Sequence, residues 1–216
     1  MNSKPKKILE QLKKEYPTVD TPLIHRSAFE LLVATILSAQ TLDSTVNKVT
    51  PNSFSKYPNP TSLSNSVVKQ VESIIKPVNY YKTKAENIIK MARILVEQYD
   101  SKVPSSISSL INLPGVGRKT ANVVLSEWFV KKGLSEPQGI VVDTHVARTA
   151  RRLGLTKNKD PKKIEQDLMK IFPKKEWGDV SLRFIFHGRF RCKARKPLCS
   201  DDPFWSKICN CVNEIQ

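Results

Sequence analysis

Leu113-Pro-Gly-Val-Gly-Arg-Lys-Thr-Ala-Asn-Val-Val124 is the stretch from which the fold is read. A short helical pattern over 105–110 precedes it, and a longer one over 118–130 follows. Two glycines two apart, Gly115 and Gly117 around Val116, permit a tight turn and leave backbone N–H groups uncovered. The second helix begins directly behind them at Arg118. Its first N–H groups and the positive end of its dipole therefore face the same way as the turn. Backbone alone then makes an anion site, and Arg118 adds charge to it. An ordinary corner between two helices would use the same residues, and the turn by itself leaves both readings open.

At 100° per residue, Ala121, Val124, Leu125 and Trp128 share one face of the second helix, and Lys119 lies almost opposite. Val123, one turn on, stands beside Lys119, so that side is expected to be covered as well, across a cleft. A lysine in such a wall, at a helix N-terminus and beside Arg118, is in the setting that makes an amine nucleophilic near neutral pH. A plain phosphate contact would place it there equally well.

The whole chain agrees with a polyanionic partner. Its 216 residues carry 36 Lys and Arg against 20 Asp and Glu, a net charge of +16. Aromatic residues are only 7% of the total, so a stacking platform for single strands is a poorer fit than a duplex held by its phosphates. No apolar run approaches the roughly 18–20 residues that span a bilayer. The N-terminal stretch 1–14 is basic without an apolar core or a small-residue cleavage site, so no signal peptide is read there. A cytoplasmic location, nucleoid-associated in a prokaryote, and a monomer without membrane attachment are expected.

Helical periodicity dominates and strand alternation is nearly absent. Ser27 with Glu30 fits a capping box. The segment it opens, Phe29-Glu-Leu-Leu-Val-Ala-Thr-Ile-Leu-Ser-Ala39, is apolar almost all round and belongs at the centre of a bundle. Asp43 is expected to cap a helix over 44–50 that Pro51 stops. Further helices are read over 67–75, 84–99, 144–153, from 161 behind the Asp160 cap, and over 177–187. The prediction is an all-α protein of two helical lobes. One lobe is 25–130, with the helix-hairpin-helix at about 105–130. The other is 1–24 plus 131–216, with a cysteine loop at 192–211.

The hairpin together with Val141-Val-Asp-Thr-His-Val146 resembles the endonuclease III family of the helix-hairpin-helix DNA glycosylase superfamily. Leu37-Ser-Ala-Gln-Thr41, Tyr81-Lys-Thr-Lys-Ala-Glu-Asn-Ile88 and His187-Gly-Arg-Phe-Arg-Cys-Lys-Ala-Arg-Lys-Pro197 resemble it as well. The resemblance runs from about residue 25 to residue 199. It implies a base-excision repair enzyme that removes oxidised pyrimidines from double-stranded DNA and cuts the strand at the abasic site. It makes Lys119 the Schiff-base nucleophile and Asp143 the carboxylate that stabilises charge on the sugar; Asp143 also reads as a helix N-cap. It places Gln40 in the space left by the extruded base, His145 in the base pocket, and Tyr80 near the intercalating wedge. Asn79-Tyr80-Tyr81 departs from the family there, where a smaller aliphatic residue follows a glycine. Two alternatives compete: a monofunctional glycosylase for uracil or thymine opposite guanine, and a non-catalytic hairpin module that binds DNA. Lys119 counts against the first, and the pairing of Lys119 with Asp143 against the second.

All four cysteines, Cys192, Cys199, Cys209 and Cys211, fall in the last 25 residues. Without a secretory signal, a metal site is a better reading than disulfides. The family's spacing is C-x6-C-x2-C-x5-C and it carries a [4Fe–4S] cluster. Cys192 and Cys199 match; the third and fourth positions fall on Asp202 and Ile208. Four thiolates can still hold a cubane if 200–208 folds back, and zinc or no metal remain alternatives. The loop has few apolar residues, so its shape is expected to depend on the metal. Lys193, Arg195 and Lys196 between the first two cysteines suit a phosphate contact.

Overall fold

The computed structural model describes residues 4–211, and no strand occurs among them. Its helices are α1 (Lys4–Glu15), α2 (Ala28–Ser38), α3 (Asp43–Lys56), α4 (Pro60–Ser64), α5 (Val68–Ile75) and α6 (Tyr81–Gln98). They continue with α7 (Ile107–Leu110), α8 (Arg118–Val124), α9 (Thr144–Arg152), α10 (Pro161–Ile171), α11 (Trp177–Phe190) and α12 (Trp205–Ile208). The chain divides into two compact units, Thr21–Gln138 and Met1–Asp20 with Gly139–Gln216. No helix among the described residues is long and apolar enough to cross a membrane.

In the first unit α2 is the centre. Every residue from Phe29 to Leu37 is buried, as expected of a helix apolar all round. The Ser27 hydroxyl accepts from the Glu30 N–H at 3.1 Å. Glu30 returns its carboxylate to the Arg26 N–H rather than to Ser27. Ile75, Ile88, Met91, Leu95, Leu110, Val124 and Leu125 close around α2. Each such burial contributes about 1.5–3 kcal/mol. The unit's edges are fixed by polar contacts: the Thr21 N–H donates to Glu127 and the Ile107 N–H to Gln138.

Three local expectations are corrected. Pro51 does not stop α3, which runs on to Lys56 with Pro51 inside it. The turn beyond carries Ser53 and Phe54, both buried. Burial of that turn outweighs the roughly 3 kcal/mol that an interior proline costs. Asp43 is the first residue of α3 and not its cap; Leu42 stands before it without a side-chain bond. The helix after the hairpin is not uniform: beyond Val124 it widens over Leu125–Val130. There the Lys131 N–H reaches back five residues to Ser126 O. Buried Glu127 sits in that wider stretch and binds Lys131 Nζ at 3.0 Å.

The second unit packs Ile8 and Leu12 of α1 with Val146, Ala150, Leu153, Ile164, Leu168, Val180 and Phe184. Gly188 of α11 lets α9 come close: a Cβ there would stand 3.0 Å from His145 Cβ and 3.1 Å from Thr149 Oγ1.

The two hairpin glycines differ. Gly115 has φ +79°, and a Cβ on it would lie 3.2 Å from both Asn87 Cβ and Ile36 Cγ2. Gly117 has φ −89° and open space where a Cβ would go. Gly115→Ala should therefore cost about 1–2 kcal/mol in denaturant unfolding. Gly117→Ala should stay within about 0.5 kcal/mol of the parent.

Candidate functional site

The hairpin buries Leu113 and Val116 and leaves Gly115, Gly117, Arg118 and Lys119 exposed. The Val116 N–H is spent inside the turn, on Leu113 O at 3.1 Å. Val116 thus serves the turn with both its amide and its side chain, unlike the uncovered amide read from the sequence. The first intrahelical bond of α8 is Ala121 N–H to Gly117 O. The amides ahead of it stand at the positive end of the helix. Ala121, Val124 and Leu125 are buried and Trp128 half-buried, on the face opposite Lys119, and Val123 beside it is half-buried. Gly115 rests on Ile36 of α2 and Asn87 of α6. The same two helices carry Gln40, just past the end of α2, and Tyr80, just before α6. Both have left-handed backbone, φ 55° and 57°, and both side chains are exposed. Such a conformation costs a non-glycine residue on the order of 1–3 kcal/mol and marks a turn held by its surroundings. Asn79 supplies part of that hold, its side-chain amide donating to Gln40 O.

Lys119 belongs to the first unit and Asp143 to the second. Asp143 caps α9, accepting from the Val146 N–H at 2.9 Å, and is half-buried. His145 follows in the first turn, with Nδ1 3.2 Å from Arg148 Nη2. Its pKa is lowered chiefly by burial, with Arg148 and Arg189 adding to the effect and Asp143 opposing it. Arg148 also donates to Gly188 O and Cys192 O. Arg152, one turn on, reaches Cys192 Sγ at 3.7 Å and Lys193 O at 2.8 Å. Two arginines of α9, neither singled out in the sequence, thus hold the start of the cysteine loop. The i, i+4 spacing of Arg148 and Arg152 was the only available signal.

All four cysteines are buried, and none is in a disulfide. Cys199, Cys209 and Cys211 bring their sulfurs within 4.8 Å of one another, and a ring nitrogen of His187 lies as close to the sulfurs of Cys192 and Cys199. Cys209 and Cys211 are 3.0 Å apart. Hydrogen bonds from Cys199 and Cys209 hold the Cys192 thiol well below its ordinary range, with Arg152 alongside; the same contacts push Cys199 up. Four convergent thiols with thiolate character already favoured at one of them fit a metal. Cys211 joins the group despite its departure from the family spacing. Asp202 is occupied elsewhere. One of its oxygens accepts from the Phe204 and Trp205 N–H groups, and the other pairs with Arg191 at 3.2 Å.

The loop is also better packed than its composition implied. Trp205 is fully buried. It lies 4.1 Å, centroid to centroid, from His187, and its indole N–H donates to Glu15 Oε1. Burial of His187 pulls its pKa down to about 4, so it is neutral beside the thiols near pH 7. Phe204 and Ile208 pack beside Trp205 on the same core. Lys193, Arg195 and Lys196 are exposed on the turn between Cys192 and Cys199.

An all-α fold with a glycine hairpin, a helix-capping aspartate and four gathered thiols is the architecture of a helix-hairpin-helix base excision repair protein. Residues 33–174 match the HhH-GPD superfamily of base excision DNA repair proteins. The chain belongs to the endonuclease III family of that superfamily. It is 47% identical to the endonuclease III of Synechocystis over 194 residues, 90% of this chain and 86% of the relative. It is 40% identical to that of Bacillus subtilis over 199 residues, 92% and 88% of the two chains. A solved trapped endonuclease III–DNA covalent intermediate, an estranged-adenine complex, superposes with a TM-score of 0.89 at 39% identity over the whole of both chains.

Cys211→Ser should lower the bound metal, measured by elemental analysis of the purified protein. Asp202→Asn should keep the metal, because that carboxylate caps α12 and pairs with Arg191 instead of ligating.

Proposed function

We propose that the protein is a bifunctional DNA glycosylase and abasic-site lyase of base excision repair, acting in the cytoplasm on duplex DNA with an oxidised pyrimidine or a lost base. The observation that carries this reading is the match to endonuclease III along nine-tenths of the chain, including a structure trapped covalently on DNA. In this reading the hairpin amides of Gly115 and Gly117, with Arg118, hold a phosphate, and Lys193, Arg195 and Lys196 hold another. The damaged nucleotide leaves the stack; Gln40 and Tyr80 enter the duplex around the gap, and His145 lines the base pocket.

Lys119 Nζ attacks the sugar C1′ as the bond to the base breaks, and the base leaves with the electron pair. Loss of a proton from nitrogen, with opening of the sugar ring, leaves a protonated imine. That imine withdraws electrons, so a C2′ proton is lost and the 3′ phosphate departs with the C3′–O electrons. Water then releases the lysine. Asp143 stabilises the positive charge that develops on the sugar. A [4Fe–4S] cluster on Cys192, Cys199, Cys209 and Cys211 would supply a cross-link that holds the basic turn in shape.

Lys119→Gln should abolish strand cutting and borohydride trapping on abasic DNA, while duplex affinity stays within a few-fold because the hairpin backbone is untouched. Trapping at the parental rate would assign the nucleophile to another amine. Asp143→Asn separates the two duties of that residue. Asparagine caps as well as aspartate, so the thermal midpoint should hold while base release slows by about 10²–10³. Affinity for undamaged duplex should fall steeply with salt as counterions are released; a flat dependence measured by anisotropy would separate the +16 from the interface.

A further inference from the structure

Lys84 is a buried charge with no part in that chemistry. It is 6% exposed. Its ammonium donates to Leu37 O at 2.7 Å, Ala39 O at 2.6 Å and Thr41 Oγ1 at 3.2 Å. An ammonium has three protons, and all three are used on one turn, the one that follows α2. Two of the acceptors are carbonyls at the C-terminal end of that helix, where no intrahelical donor remains and the dipole is negative. Burial draws the lysine's pKa down, the cost of keeping a charge at this point.

Lys84 itself belongs to the first turn of α6, four residues beyond Tyr80, whose carbonyl accepts its N–H. The lysine thereby ties the start of α6 to the end of α2. Asn79 makes the same tie from outside: its N–H donates to Thr41 Oγ1 at 3.2 Å and its side chain to Gln40 O. Between these two fastenings sit Gln40 and Tyr80, each left-handed and each exposed. Side chains that must enter a base stack gain from being held in place beforehand, because ordering them on the DNA would subtract from the binding energy.

We propose that Lys84 is a positioning residue, which clamps the turn after α2 to the turn before α6 so that Gln40 and Tyr80 meet the duplex as one preset pair. This rests on the reading of those two residues as the ones that enter the duplex around an extruded base. Lys84 acts through them and, being buried, does not touch DNA.

The test uses the full-length protein and Lys84→Met, which keeps the length of the stem and removes the three donors. Three quantities are measured: single-turnover base release from a damaged duplex, 2-aminopurine fluorescence next to the lesion, and cleavage of single-stranded abasic DNA. Lys84→Met should slow base release about 10- to 100-fold, the scale expected of a misplaced contact. It should blunt the 2-aminopurine rise and leave cleavage of the single strand, which has no stack to enter, near the parental rate. Combined with Gln40→Ala, it should add little to the effect of Gln40→Ala alone. Equal slowing on both substrates, full additivity or an unchanged rate on duplex would overturn the proposal. If Gln40→Ala and Tyr80→Ala leave duplex excision intact, the reading of the pair fails, and the clamp with it. If they impair excision and Lys84→Met does not, the clamp alone fails. Should Lys84→Met not fold, Asn79→Ala carries the same comparison, since that side chain is exposed and its loss leaves the core untouched.

Discussion

The hairpin lies directly on α2 and α6, with nothing but hydrogen on the Gly115 Cα to separate them. Ile36 and Asn87 stand 3.2 Å from where a Cβ would be. That approach seats the turn, and the turn aims the start of α8, where Arg118 and Lys119 stand. The two helices beneath it also end in the turns that bear Gln40 and Tyr80. Ile36 lies on α2 four residues before Gln40, and Asn87 on α6 seven residues after Tyr80. The hairpin with the exposed start of α8 and the left-handed pair Gln40 and Tyr80 are therefore referred to the same two rods. α2 can serve as that reference because it is buried on every side from Phe29 to Leu37.

The second unit solves a different problem: how to hold a basic loop with few apolar residues. Cys192, Cys199, Cys209 and Cys211 supply a nucleus, and Trp205, with Phe204 and Ile208 beside it, supplies the packing. The position where the family spacing puts a third cysteine holds Asp202, which has become a cap for α12 and a partner for Arg191. Cys209 and Cys211, further along, join the buried thiols instead. Arg148 and Arg152 bind the first cysteine to the helix that Asp143 caps. Within this unit, the carboxylate and the thiol cluster share one support, α9.

Residue pattern alone carried much of this. The apolar run of α2 specified a central helix because a segment with no polar face has nowhere else to go. The two glycines and the Asp143 cap were legible because turns and helix caps depend on local chemistry. The clustering of cysteines was equally plain. α1 was not read, since Ile8, Leu9 and Leu12 are three apolar residues among lysines, and their partners lie on α11 and α9. Pro51 was read as a stop because propensity is local, while the burial of Phe54 that overrides it is not.

The sequence by itself determined the helical class, the hairpin, the Asp143 cap and the clustering of the thiols, all of which are written in spacings of a few residues. The tertiary structure alone decided that Gly115 and not Gly117 is sterically required, that Cys211 joins the thiols while Asp202 turns away, and that Lys84 fastens two turns. Each of those depends on which atoms face one another once the chain has folded back, across 43 to 47 residues for Lys84 and its acceptors. Spacing along one helix does not encode a partner on another; the packing of the core does.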